Sequence, residues 1–400
     1  MIPINEAIRL VLQHTTALRV ESVRLSDALN RVLAEDVVAD TDLPPFDRAQ
    51  MDGYAVRAED VLETPARLAV VGESAAGSGW HHEMKTGEAV RIMTGAPVPV
   101  GADAVQQVEL TRESNGQVEI LESVDSGRSI VRRASEINSG ETVLRAGLEI
   151  NAAMIATLAS FGYAKVKVRC RPRVAVMATG SELVDVDQKP GVDQIRDSNN
   201  YTIAAYAALA GATVKRLPLA VDDTEELKRQ IAEAAAEADM LVTSGGVSMG
   251  VYDFTKAALR ELGAEVFFER VALRPGKPTV FARLGDTLVF GLPGNPVSVA
   301  VTFNLFARTA LRAMQGTQEP ALKAETAVLV RDLKGSIERE SYLPAILRTD
   351  EKGNLLADPL KWGGSSDFVA FARATALIDV PAGVKIIEAG DRVKIVRLPG

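Results

Sequence analysis

A short apolar run that ends in a Gly-, Ser-, Thr- and Pro-rich loop and continues toward a helical segment occurs three times between Arg173 and Ala310. The junctions are VAVMATGSELV (Val174–Val184), MLVTSGGVSMGVYD (Met240–Asp253) and LVFGLPGNPVSVAV (Leu288–Val301). Aliphatic and β-branched runs bounded by glycine are typical of buried parallel strands. Loops that follow such strands and open helices direct backbone N–H groups to one place, where an anion binds. The pattern therefore predicts a phosphate-rich ligand site at the carboxyl edge of one sheet.

The same region alternates strands with helices, which predicts a three-layer α/β domain. A hairpin over Val266–Phe290 interrupts the alternation. Several of the helices begin at Ser, Thr or Asp residues that are suited to capping. The predicted helices are Ser198–Ala210, Thr224–Ala238, Asp253–Leu262 and Val297–Met314.

Outside this region the sequence predicts helices near the start of the chain and mostly β-structure elsewhere. From Leu68 to about Ser139 it is rich in Gly, Val and turn residues, which predicts a small all-β domain. After Gly316 further β runs predict a small terminal barrel or sandwich. The remaining predicted elements are helices at Ile4–His14, Ser26–Leu33 and Ala152–Phe161 and a strand at Ala164–Val168.

Composition and charge narrow the class of protein. A chain of 400 residues with 47% hydrophobic content is expected to form roughly two to four domains. A net charge of −8 without a basic block argues against general nucleic-acid binding, but not against an anionic small ligand. We expect no membrane span and no secretory signal. The single cysteine, Cys170, excludes an internal disulfide and a thiolate zinc site.

The junction loops carry groups that suit phosphate. Adjacent glycines allow close backbone approach, and hydroxyls donate to phosphate oxygens. The first loop offers Thr179, Gly180, Ser181 and Glu182; the second offers Ser244, Gly245, Gly246 and Ser248; the third offers Pro293, Gly294, Asn295 and Pro296. On the hairpin, Arg274, Pro275, Gly276 and Lys277 place two cations on a stiff loop, although solvated tip charges explain them equally well.

Acids near these loops point to a cation. Glu182, Asp222, Asp223 and Asp253 follow predicted strands or open helices of the α/β domain. Carboxylates beside phosphates repel unless a cation lies between them, and Mg²⁺ held by carboxylates and phosphate oxygens resolves the conflict. Asp253 also fits a plain helix cap, and for Asp223 the cap is the favoured interpretation. Asp52 and Thr94 lie in polar turns that turn chemistry alone explains.

Taken together, six ordered strings resemble one family. These strings are PPFDxxxMDGYAV, RIMTGAPVPxGADAVxxxE, TGSELV, SGGVSMGxYD, RPGKP and GLPGNPVSVAVTF. They closely resemble the molybdopterin molybdenumtransferase family, which includes the bacterial molybdenum-insertion enzyme and the E domain of gephyrin. The resemblance implies a multidomain α/β plus β fold with a three-layer molybdopterin-binding domain and a C-terminal β-barrel-like domain. The implied parts are an N-terminal helical and linker domain (1–43 and 140–168), a β-rich arm (44–139), the α/β domain (169–316) and the C-terminal domain (317–400).

The resemblance also implies a reaction and a set of roles. Adenylylated molybdopterin and molybdate would give molybdenum cofactor and AMP, with Mg²⁺, in a cytoplasmic homodimer. Glu182, Asp222 and Asp253 would act in catalysis and hold the metal, and the junction loops would surround the pterin and phosphates. Arg274 and Lys277 would attract molybdate, and Asp52 and Thr94 would reach in from the partner's arm. The resemblance further implies transient contacts between this protein and other proteins of molybdenum cofactor biosynthesis.

Three departures from the family pattern bear on the site. Arg274 stands where lysine is common, and Ser135-Glu136 stands where Gly-(Glu/Asp)-Asp is common. Pro344 replaces a common arginine, and the Gly364–Phe371 segment is altered, so Ser365, Ser366 and Arg373 become candidate substitutes. Two other functions stay open. Molybdopterin adenylylation is disfavoured by the arm and terminal domain, and a non-catalytic scaffold of the same fold is disfavoured by the acid set.

Overall fold

The computed structural model describes residues 1–220, 224–246 and 254–399. Three predicted site residues, Asp222, Ser248 and Asp253, therefore lie outside the described residues. The chain forms two compact units: Met1–Glu35 with Gly147–Ala152 and Lys165–Gly400, and Asp36–Ala146 with Ala153–Ala164. Within the described ranges, no helix is both long and apolar enough to cross a bilayer.

Most helices of the described residues follow the predicted helical segments closely, but the short helix at Phe368–Phe371 was not predicted. A π-helical turn at Phe303–Ala307 joins two of them, so that the predicted helix at Val297–Met314 is continuous. The helices are α1 (Ile4–Gln13), α2 (Ala152–Ser160), α3 (Asn199–Leu209), α4 (Thr224–Glu237), α5 (Phe254–Glu261), α6 (Pro296–Thr302), α7 (Arg308–Met314) and α8 (Phe368–Phe371).

The second unit contains a six-stranded mixed sheet in the order β7-β4-β6-β5-β9-β8. In the first unit, β1 pairs antiparallel with β12. Strands up to residue 169 are β1 (Val20–Arg24), β2 (Val37–Val38), β3 (Arg48–Ala49), β4 (Gly53–Val56), β5 (Ala66–Ser74), β6 (Glu88–Ile92), β7 (Ala104–Gln107), β8 (Thr111–Ser114), β9 (Gln117–Ile120), β10 (Ile130–Val131), β11 (Thr142–Leu144) and β12 (Lys165–Arg169).

A three-layer α/β sandwich forms the centre of the first unit. Its sheet has the order β16-β13-β17-β21-β20-β18, and the first four strands are parallel. Alternate residues of β17 pack on opposite sides: Val242 against α3 and α6, and Leu241 against α4 and α5. The strands are β13 (Arg173–Ala178), β14 (Leu183–Val184), β15 (Ile195–Arg196), β16 (Thr213–Arg216), β17 (Met240–Ser244), β18 (Glu265–Phe268), β19 (Leu273–Arg274), β20 (Val280–Leu284) and β21 (Thr287–Leu292).

The C-terminal strands close into a five-stranded barrel, which confirms the barrel-like prediction. Closure comes from the pairing of β24 with β26, and β19 of the hairpin adds to β24 in parallel. The strands are β22 (Ala324–Leu329), β23 (Leu333–Lys334), β24 (Glu340–Thr349), β25 (Leu355–Pro359), β26 (Ala376–Val380), β27 (Ile386–Ile387) and β28 (Arg392–Arg397).

Two local predictions are wrong; a long-range strand contact explains the first, and a neighbouring carboxylate explains the second. The predicted helix at Ser26–Leu33 is only a 3₁₀ turn at Leu25–Asp27. Asn30 has φ +60°, and Leu33 then forms a β-bridge with Val168. At α3, Ser198 makes no side-chain capping bond; the Asp197 carboxylate accepts the N–H of Asn200 at 3.0 Å instead.

Candidate functional site

The three junction loops meet at one edge of the central sheet. β13, β17 and β21 run parallel and end at Ala178, Ser244 and Leu292. The N–H of Thr179 donates to the carbonyl of Ser244 at 2.9 Å, and the N–H of Gly245 donates to that of Leu292 at 3.2 Å. The predicted gathering of these loops at the carboxyl edge of the sheet is therefore confirmed.

Gly245 is the residue at this edge that the backbone most constrains. Its φ is +85°, and a Cβ there would lie 2.3 Å from the carbonyl oxygen of Thr179. A side chain would therefore be strained and would also collide with backbone. The absence of a side chain lets the second junction loop lie directly against the first.

Replacing Gly245 with alanine is expected to destabilise the α/β domain and to abolish ligand binding at the loops. Gly285→Ala is the matched control, because Gly285 has φ +58° with nothing near its Cβ position. The control should cost about 1 kcal/mol from strain alone, and Gly245→Ala roughly 1–3 kcal/mol more from the collision. Urea unfolding followed by circular dichroism measures both. Equal losses in the two variants would contradict the steric argument.

A cavity of about 960 Å³, here called the loop cavity, opens beside these loops. Glu182 lines it and is exposed. Its side chain folds back over Gly180, where a Cβ would lie 2.4 Å from a carboxylate oxygen. Gly180, Ser181 and Gly246 belong to the same loops. The other predicted residues that line the cavity are Thr179, Ser244, Gly245, Gly294, Asn295 and Pro296.

The loop cavity also contains a polar segment that sequence reasoning missed. Arg196, Asp197, Ser198 and Asn199 line it at the start of α3. The buried Asn199 amide donates to the carbonyl of Gly294 at 2.7 Å and so ties α3 to the third junction loop. The sequence carries a sign of this segment, because polar residues from Arg196 to Asn200 follow Ile195 and lead into a helix.

A second cavity of about 850 Å³, here called the cationic cavity, lies beside the hairpin loop. Arg274, Lys277, Lys334 and Arg339 line it, and no described Asp or Glu does. None of these four side chains forms a salt bridge with another described residue. Four cations without a neutralising carboxylate favour a multiply charged anion. Pro275, Gly276, Pro293, Gly294 and Asn295 complete the predicted residues at this cavity.

Strand pairing brings two parts of the chain together at the cationic cavity. β19 pairs in parallel with β24, so that Arg274 lies opposite Ser341. Arg339, just before β24, donates to the carbonyl of Leu273 at 3.4 Å. The hairpin loop is braced internally by Thr279, whose hydroxyl donates to the carbonyl of Gly276 at 2.7 Å. Arg274, Lys334 and Arg339 therefore lie at or next to strand ends, and Lys277 lies in the braced hairpin loop.

The altered C-terminal segments contribute differently from one another. Ser365 lines the cationic cavity, Ser366 lines the loop cavity, and Arg373 lines neither. Pro344 lies within β24 opposite Leu377. Lys334 and Arg339, which sequence reasoning missed, are the cations that the region after Gly316 supplies to the cationic cavity.

The two cavities share a wall. Gly294 and Asn295 line both of them. The Asn295 amide donates to the Ser365 hydroxyl at 2.8 Å, and the carbonyl of Ser365 accepts the N–H of Val297 at 3.0 Å. The third junction loop is thus fixed between the cavities.

In the second unit, Asp52 and Thr94 lie together. The Asp52 carboxylate accepts both the N–H and the hydroxyl of Thr94, each at 2.7 Å. These two bonds hold the pKa of Asp52 below its usual value, and the bond from the backbone N–H has the larger effect. Asp52 therefore carries a negative charge at neutral pH and connects two turns. Within this unit, a structural role in joining the turns explains the presence of both Asp52 and Thr94.

A metal centre was also predicted. No cluster of three or more His, Cys, Asp or Glu side chains suited to a metal occurs in the described part of the chain. Glu182 in the loop cavity is the one predicted ligand that the structure describes. Its carboxylate suits Mg²⁺, while Asp222 and Asp253 lie outside the described ranges.

Family models match almost the whole chain in three consecutive segments. The MoeA N-terminal region (domain I and II) matches residues 2–162. A probable molybdopterin binding domain matches residues 175–313. The MoeA C-terminal region (domain IV) matches residues 326–398. The junction loops and both cavities therefore lie in the second and third segments.

Full-length relatives agree with these matches. The molybdopterin molybdenumtransferase of Bacillus subtilis is 37% identical, over 98% of this chain and 93% of its own length. The molybdopterin molybdenumtransferase of Haemophilus influenzae is 34% identical, over 94% of this chain and 93% of its own length. A crystal structure of a molybdopterin biosynthesis MoeA protein from Pyrococcus horikoshii superposes with a TM-score of 0.84, 32% identity and full coverage of both chains.

Proposed function

We infer that this chain, which belongs to the molybdopterin molybdenumtransferase family, is a transferase of molybdenum cofactor biosynthesis. The reaction we propose inserts molybdate into adenylylated molybdopterin and releases AMP. The dithiolene sulfurs of molybdopterin are the ligands of the metal, so the protein needs no nucleophile of its own. Its contribution is to position the two substrates and to stabilise charge.

The observation that carries this proposal is the shared wall of the two cavities. Molybdate is a small dianion, and the cationic cavity presents four cations without a lining carboxylate among the described residues. Glycine loops and hydroxyls line the other cavity, which suits phosphate. Gly294 and Asn295 border both. An oxyanion in one cavity would therefore lie next to a phosphate-bearing ligand in the other.

Cations from two parts of the chain would hold the oxyanion. Arg274 and Lys277 come from the hairpin loop, and Lys334 and Arg339 from the C-terminal region. Guanidinium groups match an oxyanion with two parallel N–H donors, and lysine adds a compact charge. Arg339 and Lys334 would supply the positive charge that Pro344 does not.

We also propose Mg²⁺, a cytoplasmic location and transient contacts with other enzymes of the same biosynthesis. Glu182, with Asp222 and Asp253, would hold the metal. Bound there, Mg²⁺ would neutralise phosphate charge beside these carboxylates. The exposed position of Glu182 in the loop cavity supports its part in this set.

A turnover assay tests the function directly. Purified protein is incubated with adenylylated molybdopterin, with and without molybdate and Mg²⁺. AMP is measured by chromatography, and transferred molybdenum by mass spectrometry. Molybdate-dependent AMP release with stoichiometric molybdenum transfer is expected. Formation of adenylylated molybdopterin from molybdopterin and ATP would favour an adenylyltransferase, and binding without turnover would favour a scaffold.

We further propose a homodimer in which Asp52 and Thr94 of one chain complete the site of the other. Mixing inactive Asp52→Asn and Asp253→Asn proteins should then restore roughly a quarter of the wild-type activity, because half of the dimers are mixed and each has one intact site of two. Mixing Asp52→Asn with Thr94→Ala, two changes in the same unit, is the control and should restore none. Absence of recovery despite subunit exchange, verified with tagged chains, would contradict the shared site.

A further inference from the structure

Four large hydrophobic side chains that stay exposed line the same cavity. Val186 is 42% exposed, Ile195 58%, Tyr201 36% and Phe368 52%, and all four line the loop cavity. Isolated exposed hydrophobic residues are ordinary, but a group of them in one concave place indicates a surface that binds an apolar face. Two of the four are aromatic, and they come from different elements, α3 and α8.

Hydrogen bonds hold the backbone that carries Phe368. It is the first residue of α8, and the preceding Asp367 accepts the N–H groups of Gly363 at 2.7 Å and Ala370 at 3.0 Å. The same segment is tied to α6 through the bond between Ser365 and Val297. The backbone that carries Phe368 is therefore fixed beside the third junction loop, and its exposed side chain lines the loop cavity.

Tyr201 is ordered as well. The guanidinium carbon of Arg216 lies 3.9 Å from its ring centroid, and its hydroxyl lies 3.4 Å from a carboxylate oxygen of Asp185. The helix fixes the backbone of Tyr201, and the contacts with Arg216 and Asp185 position its ring.

The geometry points to Phe368 and Tyr201 as the side chains that contact a planar nitrogen heterocycle in the loop cavity, while the junction loops bind the adjoining phosphate. This inference rests on the proposed function, because adenylylated molybdopterin carries two such rings, adenine and pterin, joined through phosphates. Aromatic side chains bind flat heterocycles by offset or edge contacts. A heterocycle is favoured over a protein segment because phosphate-binding loops line the same cavity.

Calorimetric titration with AMP and with neopterin monophosphate tests the subsite. Phe368→Ala is expected to weaken binding of at least one of them by about tenfold, and the ligand affected identifies the ring. Phe368→Leu, which keeps apolar volume without an aromatic face, should weaken it similarly. Val369→Ala is the matched control, because Val369 is 70% exposed on α8 but does not line the cavity.

Three outcomes would overturn the inference. Wild-type protein that binds neither ligand, or Phe368 variants that bind both with wild-type affinity, exclude the ring contact. Variants with unchanged ring binding but an altered mass in light scattering would assign the apolar group to a second copy of the chain. Thermal melts of Phe368→Ala and Phe368→Leu verify that folding is retained.

The same measurements separate this inference from the proposed function. If the wild type releases no AMP with molybdate yet Phe368→Ala weakens ring binding, the function fails and the ring subsite stands. If the wild type turns over and the Phe368 variants bind both rings normally, only the ring subsite fails.

Discussion

Replacing both Arg274 and Lys277 with glutamine is expected to raise the molybdate concentration for half-maximal AMP release by about a hundredfold or more. Each charge-assisted hydrogen bond contributes roughly 1.5–3 kcal/mol, so two lost bonds amount to about two or more factors of ten. Binding of AMP should change little, because these residues line the cationic cavity and not the loop cavity.

Two further variants make this test specific. Arg274→Lys keeps the charge and should retain most of the molybdate affinity, although it loses the paired donors of the guanidinium. Lys352→Gln removes an exposed lysine that lines neither cavity and should change nothing. A double variant with wild-type dependence on molybdate would contradict the assignment of the cationic cavity. An equal loss in Lys352→Gln would attribute the effect to total charge.

The sheet edge was predictable because its signals are local. Buried parallel strands such as Val174–Ala178 are continuous apolar runs, and glycine at Gly245 marks a backbone that no side chain fits. The position of the junction loops follows from parallel strands having their carboxyl ends at one edge. No long-range information was needed for this part of the site.

Only two of the four cations of the cationic cavity, Arg274 and Lys277, were predictable, because the other two come from a part of the chain that is distant in sequence. Arg339 reaches it because β24 pairs with β19, and local periodicity carries no information about that register. Motif comparison drew attention to Pro344, which lies within the barrel wall. Phe368 likewise looks like a core residue in the sequence, because an exposed aromatic side chain has no local signature.

Asp253→Asn separates a catalytic acid from a helix cap, and its effect on turnover should be the largest of any single substitution. Asparagine keeps the size of the side chain and most of its capping capacity, so the helix that follows should survive with a loss of at most about 1 kcal/mol. What disappears is a formal negative charge, which we propose holds Mg²⁺ against the phosphates.

We therefore expect Asp253→Asn to fold normally, to bind adenylylated molybdopterin, and to lose AMP release by roughly a hundredfold or more, the scale seen when an electrostatic group is removed from an active site. Its affinity for Mn²⁺ as a probe of the Mg²⁺ site, measured by electron paramagnetic resonance, should fall as well. Asp223→Asn is the matched control, because we interpret Asp223, another acid of the α/β domain, as a helix cap; this variant should turn over almost normally. If Asp253→Asn also turned over normally and bound Mn²⁺ as the wild type does, Asp253 would be a helix cap and the metal-site assignment would be wrong.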